Sequence, residues 1–90
     1  MQKVTERKRM DAYIGQIELL PYMFVPQGWL RCDGTKLQVK NYQALYSLLG
    51  VTFGGTVGIE FALPDLRGAE PMNGLAYYIA FIGIYPTRQD

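Results

Sequence analysis

The sequence predicts an α+β fold: a small single domain of short, mostly antiparallel strands, one short helix over about residues 41–49, and a long apolar strand at the C-terminal end. Three observations carry that prediction. Ile17 and Leu19 alternate with Gln16 and Glu18, the apolar–polar period of a half-buried strand. One segment, Tyr42 to Leu49, places apolar residues at helical spacing. The run from Leu75 to Tyr85 is the most hydrophobic in the chain and rich in aromatic and β-branched residues. A chain of 90 residues is one domain and hides only about 60% of its unfolded surface. Yet 49% of its residues are hydrophobic and 13% aromatic, against 19% charged. That surplus of apolar surface is expected to face another chain.

Charge divides the molecule. Residues 1–10 read as a charged N-terminal extension and residues 11–90 as the domain. Lys3, Arg7, Lys8 and Arg9 lie in the first nine positions, where Glu6 is the only acid. The remainder carries a slight acidic excess, so no basic face is broad enough for nucleic acid. A charged tip of this kind commonly solvates a chain end. One cysteine and no histidine exclude an internal disulfide and a His/Cys metal site. The acids are too scattered for calcium, and no cofactor is expected. No apolar run near the start suits a signal peptide or a membrane span. Synthesis in the cytoplasm follows as the expectation.

In chain order, the first strand begins near Tyr13 and stops at Pro21. Tyr22 to Val25 form an apolar connection closed by Pro26. A second short strand, Trp29 to Cys32, lies between a Pro-Gln-Gly turn ending at Gly28 and an Asp-Gly turn at Asp33 and Gly34. Leu37 and Val39 suggest a third extended piece. Asn41 is placed as the N-cap of the helix, with Tyr42, Leu45, Tyr46, Leu48 and Leu49 as its apolar face and Gly50 at its C-terminal end. So short a helix needs packing to hold it. Gly54, Gly55 and Gly58 read as a flexible connection, because neither the Walker pattern nor the dinucleotide fingerprint surrounds them. Phe61 to Leu63 make a brief strand stopped by Pro64. In the last segment, Tyr77, Ile79, Phe81 and Tyr85 share one face, and Tyr78, Ala80, Ile82 and Ile84 the other. Both faces are apolar, so the strand should be covered on both sides, the second cover coming from a neighbouring subunit. A helix is the alternative there; the composition and Gly83 favour a strand.

No catalytic apparatus assembles from these residues. Nucleophilic catalysis needs an activating base; Cys32 has no histidine to activate it and reads as a small buried hydrophobe. Asp33 and Asp65 are the one carboxylate pair open to glycosidase chemistry, but each adjoins a turn or a proline, where Asp hydrogen-bonds its own backbone. Arg67 is placed to reach Asp33 or Asp65, or to cap strand-end carbonyls. Trp29 and the seven tyrosines read as core and interface before they read as a sugar platform.

Five motifs in order carry a resemblance: Ile14 to Ile17; Gly28, Trp29, Cys32, Asp33 and Gly34; Tyr42 to Gly50; Phe53 to Gly55; and Phe61 to Gly68. Together they resemble the phage tail-collar domain family, which includes short tail-fibre and microcystin-dependent proteins. Tyr78 to Pro86 look like that family's final strand. The resemblance implies a non-enzymatic structural subunit of a phage tail, tail fibre, baseplate or tail-like particle, commonly a homotrimer that joins other tail proteins. The alternative it leaves is a receptor- or glycan-binding module for host attachment at a fibre tip. It further implies that Gly28, Trp29, Cys32, Asp33, Gly34, Leu63, Pro64, Asp65, Leu66, Arg67 and Gly68 brace the fold. Tyr77, Tyr78, Ile79, Phe81, Ile82, Ile84 and Tyr85 are the candidate subunit interface, and Lys3, Arg7, Lys8 and Arg9 the candidate docking residues. Members often carry a longer variable insertion where only Ala69 to Gly74 stand here, which favours a connector or baseplate role over receptor binding.

Overall fold

The computed structural model describes residues 12–21 and 25–86. The docking residues Lys3, Arg7, Lys8 and Arg9, and most of the Tyr22–Val25 connection, lie outside the described residues. Among the described residues there are six strands: β1 (Ile17–Leu20), β2 (Trp29–Arg31), β3 (Lys36–Gln38), β4 (Gly55–Thr56), β5 (Glu60–Ala62) and β6 (Ala76–Ala80). The α-helix among them, α1 (Gln43–Leu49), follows a 3₁₀ turn over Val39–Asn41. The strands form two three-stranded sheets, β1-β6-β2 and β3-β5-β4, antiparallel at every pairing. This is the expected α+β arrangement.

The central strand β6 separates two packed layers. Side chains directly opposite across an antiparallel pair share a face. Register places Ile79 against Ile17 and Leu30, and Ala80 against Trp29. On one face Ile79 joins Ile14, Cys32, Leu45, Phe61 and Leu63 in the main core, the last five elements of which come from four different stretches of chain. On the other, Ala76, Tyr78 and Ala80 meet Trp29 and Ala12. Each large side chain fully buried in this way stabilises the fold by about 1.5–3 kcal/mol.

Four expectations are corrected. The C-terminal strand is not long: β6 ends at Ala80, Phe81–Gly83 bend, and Ile84 returns as a single parallel bridge to Tyr13. Gly83 explains the break. Its φ is +152°, and a Cβ there would lie 2.2 Å from the carbonyl oxygen of Ala12, so only glycine permits the close approach. Next, both faces of Ala76–Ala80 are covered within one chain, with Ile79 and Ala80 at 0% exposure; no neighbour is needed there. The helix starts later than Asn41. Asn41 is drawn into the 3₁₀ turn, and the N-cap is Tyr42, without a side-chain cap bond. Packing replaces capping, because the Tyr42 ring meets Phe81 edge-on at 5.4 Å. On its apolar face Leu45 is buried, whereas Leu48 is 38% exposed.

The glycine-rich loop is the last correction. It is an ordered hairpin, with Gly55 and Thr56 paired to Phe61 and Glu60. Gly58 donates its N–H to the Tyr46 hydroxyl at 3.0 Å, and the Tyr46 ring stacks obliquely on Phe61. Glycine serves a close contact there: a Cβ on Gly55 would meet Phe61 Cα at 2.6 Å.

Candidate functional site: two turn motifs joined back to back

The rare residues of Gly28–Gly34 and the Leu63–Gly68 stretch, far apart in sequence, are brought together. β2 supplies the first. Trp29 enters the strand after a turn in which its N–H bonds to Pro26 O at 3.1 Å, and its indole is 8% exposed against Ala12, Ala76, Tyr78 and Ala80. Beyond the strand, Cys32 N–H donates to Tyr77 O at 2.9 Å, which ties the motif to β6. Cys32 O in turn accepts from Leu66 N–H at 2.9 Å, and Leu63 N–H donates to Thr35 O at 2.9 Å. Between these bonds Asp33 and Asp65 form an antiparallel bridge. One short backbone ladder thus joins the two motifs and links both sheets.

The side chains of that ladder close their own turns. Asp33 Oδ1 accepts from Thr35 N at 3.0 Å and from Thr35 Oγ1 at 2.5 Å, an Asx turn. Asp65 accepts a two-pronged bond from Arg67, Nε to Oδ1 at 2.8 Å and a terminal guanidinium nitrogen to Oδ2 at 2.7 Å. Arg67 N–H adds a third bond to Oδ1 at 3.2 Å. Of the partners open to Arg67 in the sequence, the structure selects Asp65. Gly68 N–H is met by Glu70. Gly34 has φ +82°, and a Cβ there would press on the Asp65 side chain at 3.3 Å.

Electrostatics follow from these bonds. The Arg67 hydrogen bonds hold the Asp65 carboxyl down at about 2, and Asp65 raises the Arg67 guanidinium in return. The Thr35 hydroxyl bond lowers Asp33. Burial, then the Asp33 charge, pushes the Cys32 thiol up to about 11. A thiol that stays protonated at neutral pH is a poor nucleophile, and two carboxylates fixed in the charged form offer no proton-donating acid. Among the described residues no group of three or more His, Cys, Asp or Glu side chains is placed to hold a metal ion.

The seven residues named for the interface divide. Tyr78 and Ile79 are buried within the chain, and Tyr77 and Phe81 are half-buried against the main core. Ile82, Ile84 and Tyr85 are 59%, 47% and 45% exposed. Tyr13, bridged to Ile84, is exposed beside them, and the Tyr85 hydroxyl lies 2.6 Å from Ser47 Oγ on α1. Sequence reasoning missed Thr35 and the Tyr46–Gly58 bond. The Asp-Gly-Thr order was a usable signal for the first; the second depends on a fold-level approach that no local pattern encodes.

Residues 15–71 match the family model of the phage tail collar domain. The matched stretch is more than half of the chain, contains both motifs and ends before β6. No curated protein and no solved structure matches the chain.

Proposed function

The chain belongs to the phage tail collar domain family, a structural family and not a family of enzymes, and on that premise we propose that it is a building block of a phage tail that acts by self-assembly and by docking onto other tail proteins. Family membership supports a structural role in a tail fibre. The observation that carries the finer reading is the apolar strip Ile82, Ile84 and Tyr85. It is exposed although the adjoining β6 is buried on both faces. An exposed apolar strip beside a rigid, braced core is what a subunit interface needs. A homotrimer joined through this strip, with Tyr13 at its border, is the assembly we favour. Baseplate and fibre are both compatible locations for it.

The basic residues Lys3, Arg7, Lys8 and Arg9 are proposed to attach the assembly to a neighbouring tail component. Removing residues 1–9 should leave folding unchanged and reduce incorporation into particles; normal incorporation would refute the docking role. The receptor- or glycan-binding alternative loses its main platform, because Trp29 is buried against alanines and its ring face is closed to a sugar. No described helix is long and apolar enough to cross a membrane. Light scattering of the purified chain tests the self-association directly: a particle of several chains is expected, and a clean monomer would refute it.

A further inference from the structure

The segment between Gly68 and β6 contains Met72, Asn73 and Gly74, all exposed. Asn73 and Gly74 form a turn, and Gly74 has φ +89° with no atom within 4 Å of the place a Cβ would occupy. Neither the Asn73 side chain nor the Gly74 N–H makes a hydrogen bond among the described residues. An asparagine amide carbon lies within five-membered-ring reach of the next residue's backbone nitrogen. Attack is ordinarily prevented by a bulky following side chain, by a hydrogen bond holding that N–H, or by burial. None of these protects Asn73.

Asn41 provides the internal contrast. It sits in the 3₁₀ turn, and the residue after it is Tyr42, whose ring packs on Phe81. The Tyr42 N–H is committed to Val39 O at 3.1 Å.

We propose that Asn73–Gly74 is a site of spontaneous, base-catalysed deamidation through a cyclic imide. Hydroxide removes the Gly74 amide proton, and the nitrogen attacks Asn73 Cγ. The new N–Cγ bond forms as the Cγ–NH2 bond breaks; the leaving nitrogen takes a proton from water, which restores the hydroxide, and departs as ammonia. Water then opens the imide. Cleavage at the side-chain carbonyl gives aspartate, and cleavage at the main-chain carbonyl gives isoaspartate, with the backbone running through the former side chain. Nothing is oxidised or reduced. Both products add a negative charge, and the isoaspartyl form adds a methylene to the backbone just ahead of Ala76, the buried first residue of β6 that pairs with Leu20. The isoaspartyl product therefore lengthens the backbone at the entrance to the central strand, whereas the aspartyl product leaves it unchanged.

The test is incubation of the intact folded chain at mildly alkaline pH, followed by peptide mapping with fragmentation that separates the two isomers. The expected result is the mass gain of amide-to-acid conversion at Asn73 in both isomeric forms, faster as pH rises, with Asn41 unchanged over the same period. Asn73→Gln should abolish it, and Gly74→Ala should slow it several-fold. Conversion at Asn41 as fast as at Asn73 would overturn the proposal. So would an Asn73 that stays intact in the folded chain and reacts only in denaturant.

Discussion

Residues 76–80 and residues 81–85 are neighbouring five-residue runs of similar apolar character, Ala-Tyr-Tyr-Ile-Ala and Phe-Ile-Gly-Ile-Tyr, and they meet opposite fates. The first is a central strand with partners on both edges and packed layers on both faces. The second bends away and exposes three large side chains. Composition does not separate them. The bend over Phe81–Gly83 does, and it includes the one position of the two runs where the chain passes too close to Ala12 for any side chain, Gly83. Hydrophobicity supplies material for burial; backbone geometry decides which half of the run stays inside the chain.

If that comparison is right, substitutions around the first run should cost far more than substitutions in the second. The two layers over β6 are the place of largest effect. Phe61→Ala on one face and Trp29→Ala on the other should each lower unfolding free energy by about 3–5 kcal/mol, measured by urea titration. The Trp29 layer is otherwise built mainly from alanines, which cannot move in to fill the gap. A loss below about 1 kcal/mol at either position would show that the layer is not sealed within the chain.

The ladder between the motifs comes next. Asp33→Ala removes the acceptor for both Thr35 bonds and should cost about 1 kcal/mol. Cys32 reports on the same region without mutation. Buried, and with its thiol raised to about 11, it should resist alkylation at neutral pH in the folded chain and react after denaturation. Rapid alkylation of the folded chain would show the ladder to be open.

A smaller effect is expected with pH. Asp33 and Asp65 both titrate below the ordinary 3.8, Asp65 at about 2. A carboxylate with a lowered folded value adds stability that is fully present above 3.8 and is lost as pH falls toward about 2. Urea midpoints should therefore decline across that window. Both groups are partly solvated, so the decline should shrink in high salt. Asp65→Asn should reduce it, and an unchanged slope in that variant would contradict the role given to the Arg67 fork.

Much of this was legible in the sequence where local chemistry decides. Proline and Asp-Gly positions located β2 and its turns, Cys32 read as a buried thiol, and the motif order identified the family. Asp33 and Asp65 read as turn residues because their chemistry is satisfied within two or three positions. The rest depended on contacts between distant segments. Nothing around Asn41 shows that Tyr42 will be recruited by Phe81, and three glycines in a row of loop residues look alike whether they are loose or paired in a hairpin. The end of β6 was hidden for the same reason. Gly83 was visible, but the carbonyl of Ala12 that makes it necessary is some seventy residues away in the chain.

The central claim is that the exposed second run serves other chains while the braced first run holds the fold, and mass in solution tests it most directly. The Ile82→Ser, Ile84→Ser double variant should change unfolding free energy by no more than about 0.5 kcal/mol per site. Light scattering should then find the unaltered chain as an oligomer and the double variant as a folded monomer. A folded double variant that keeps the oligomer would contradict the account.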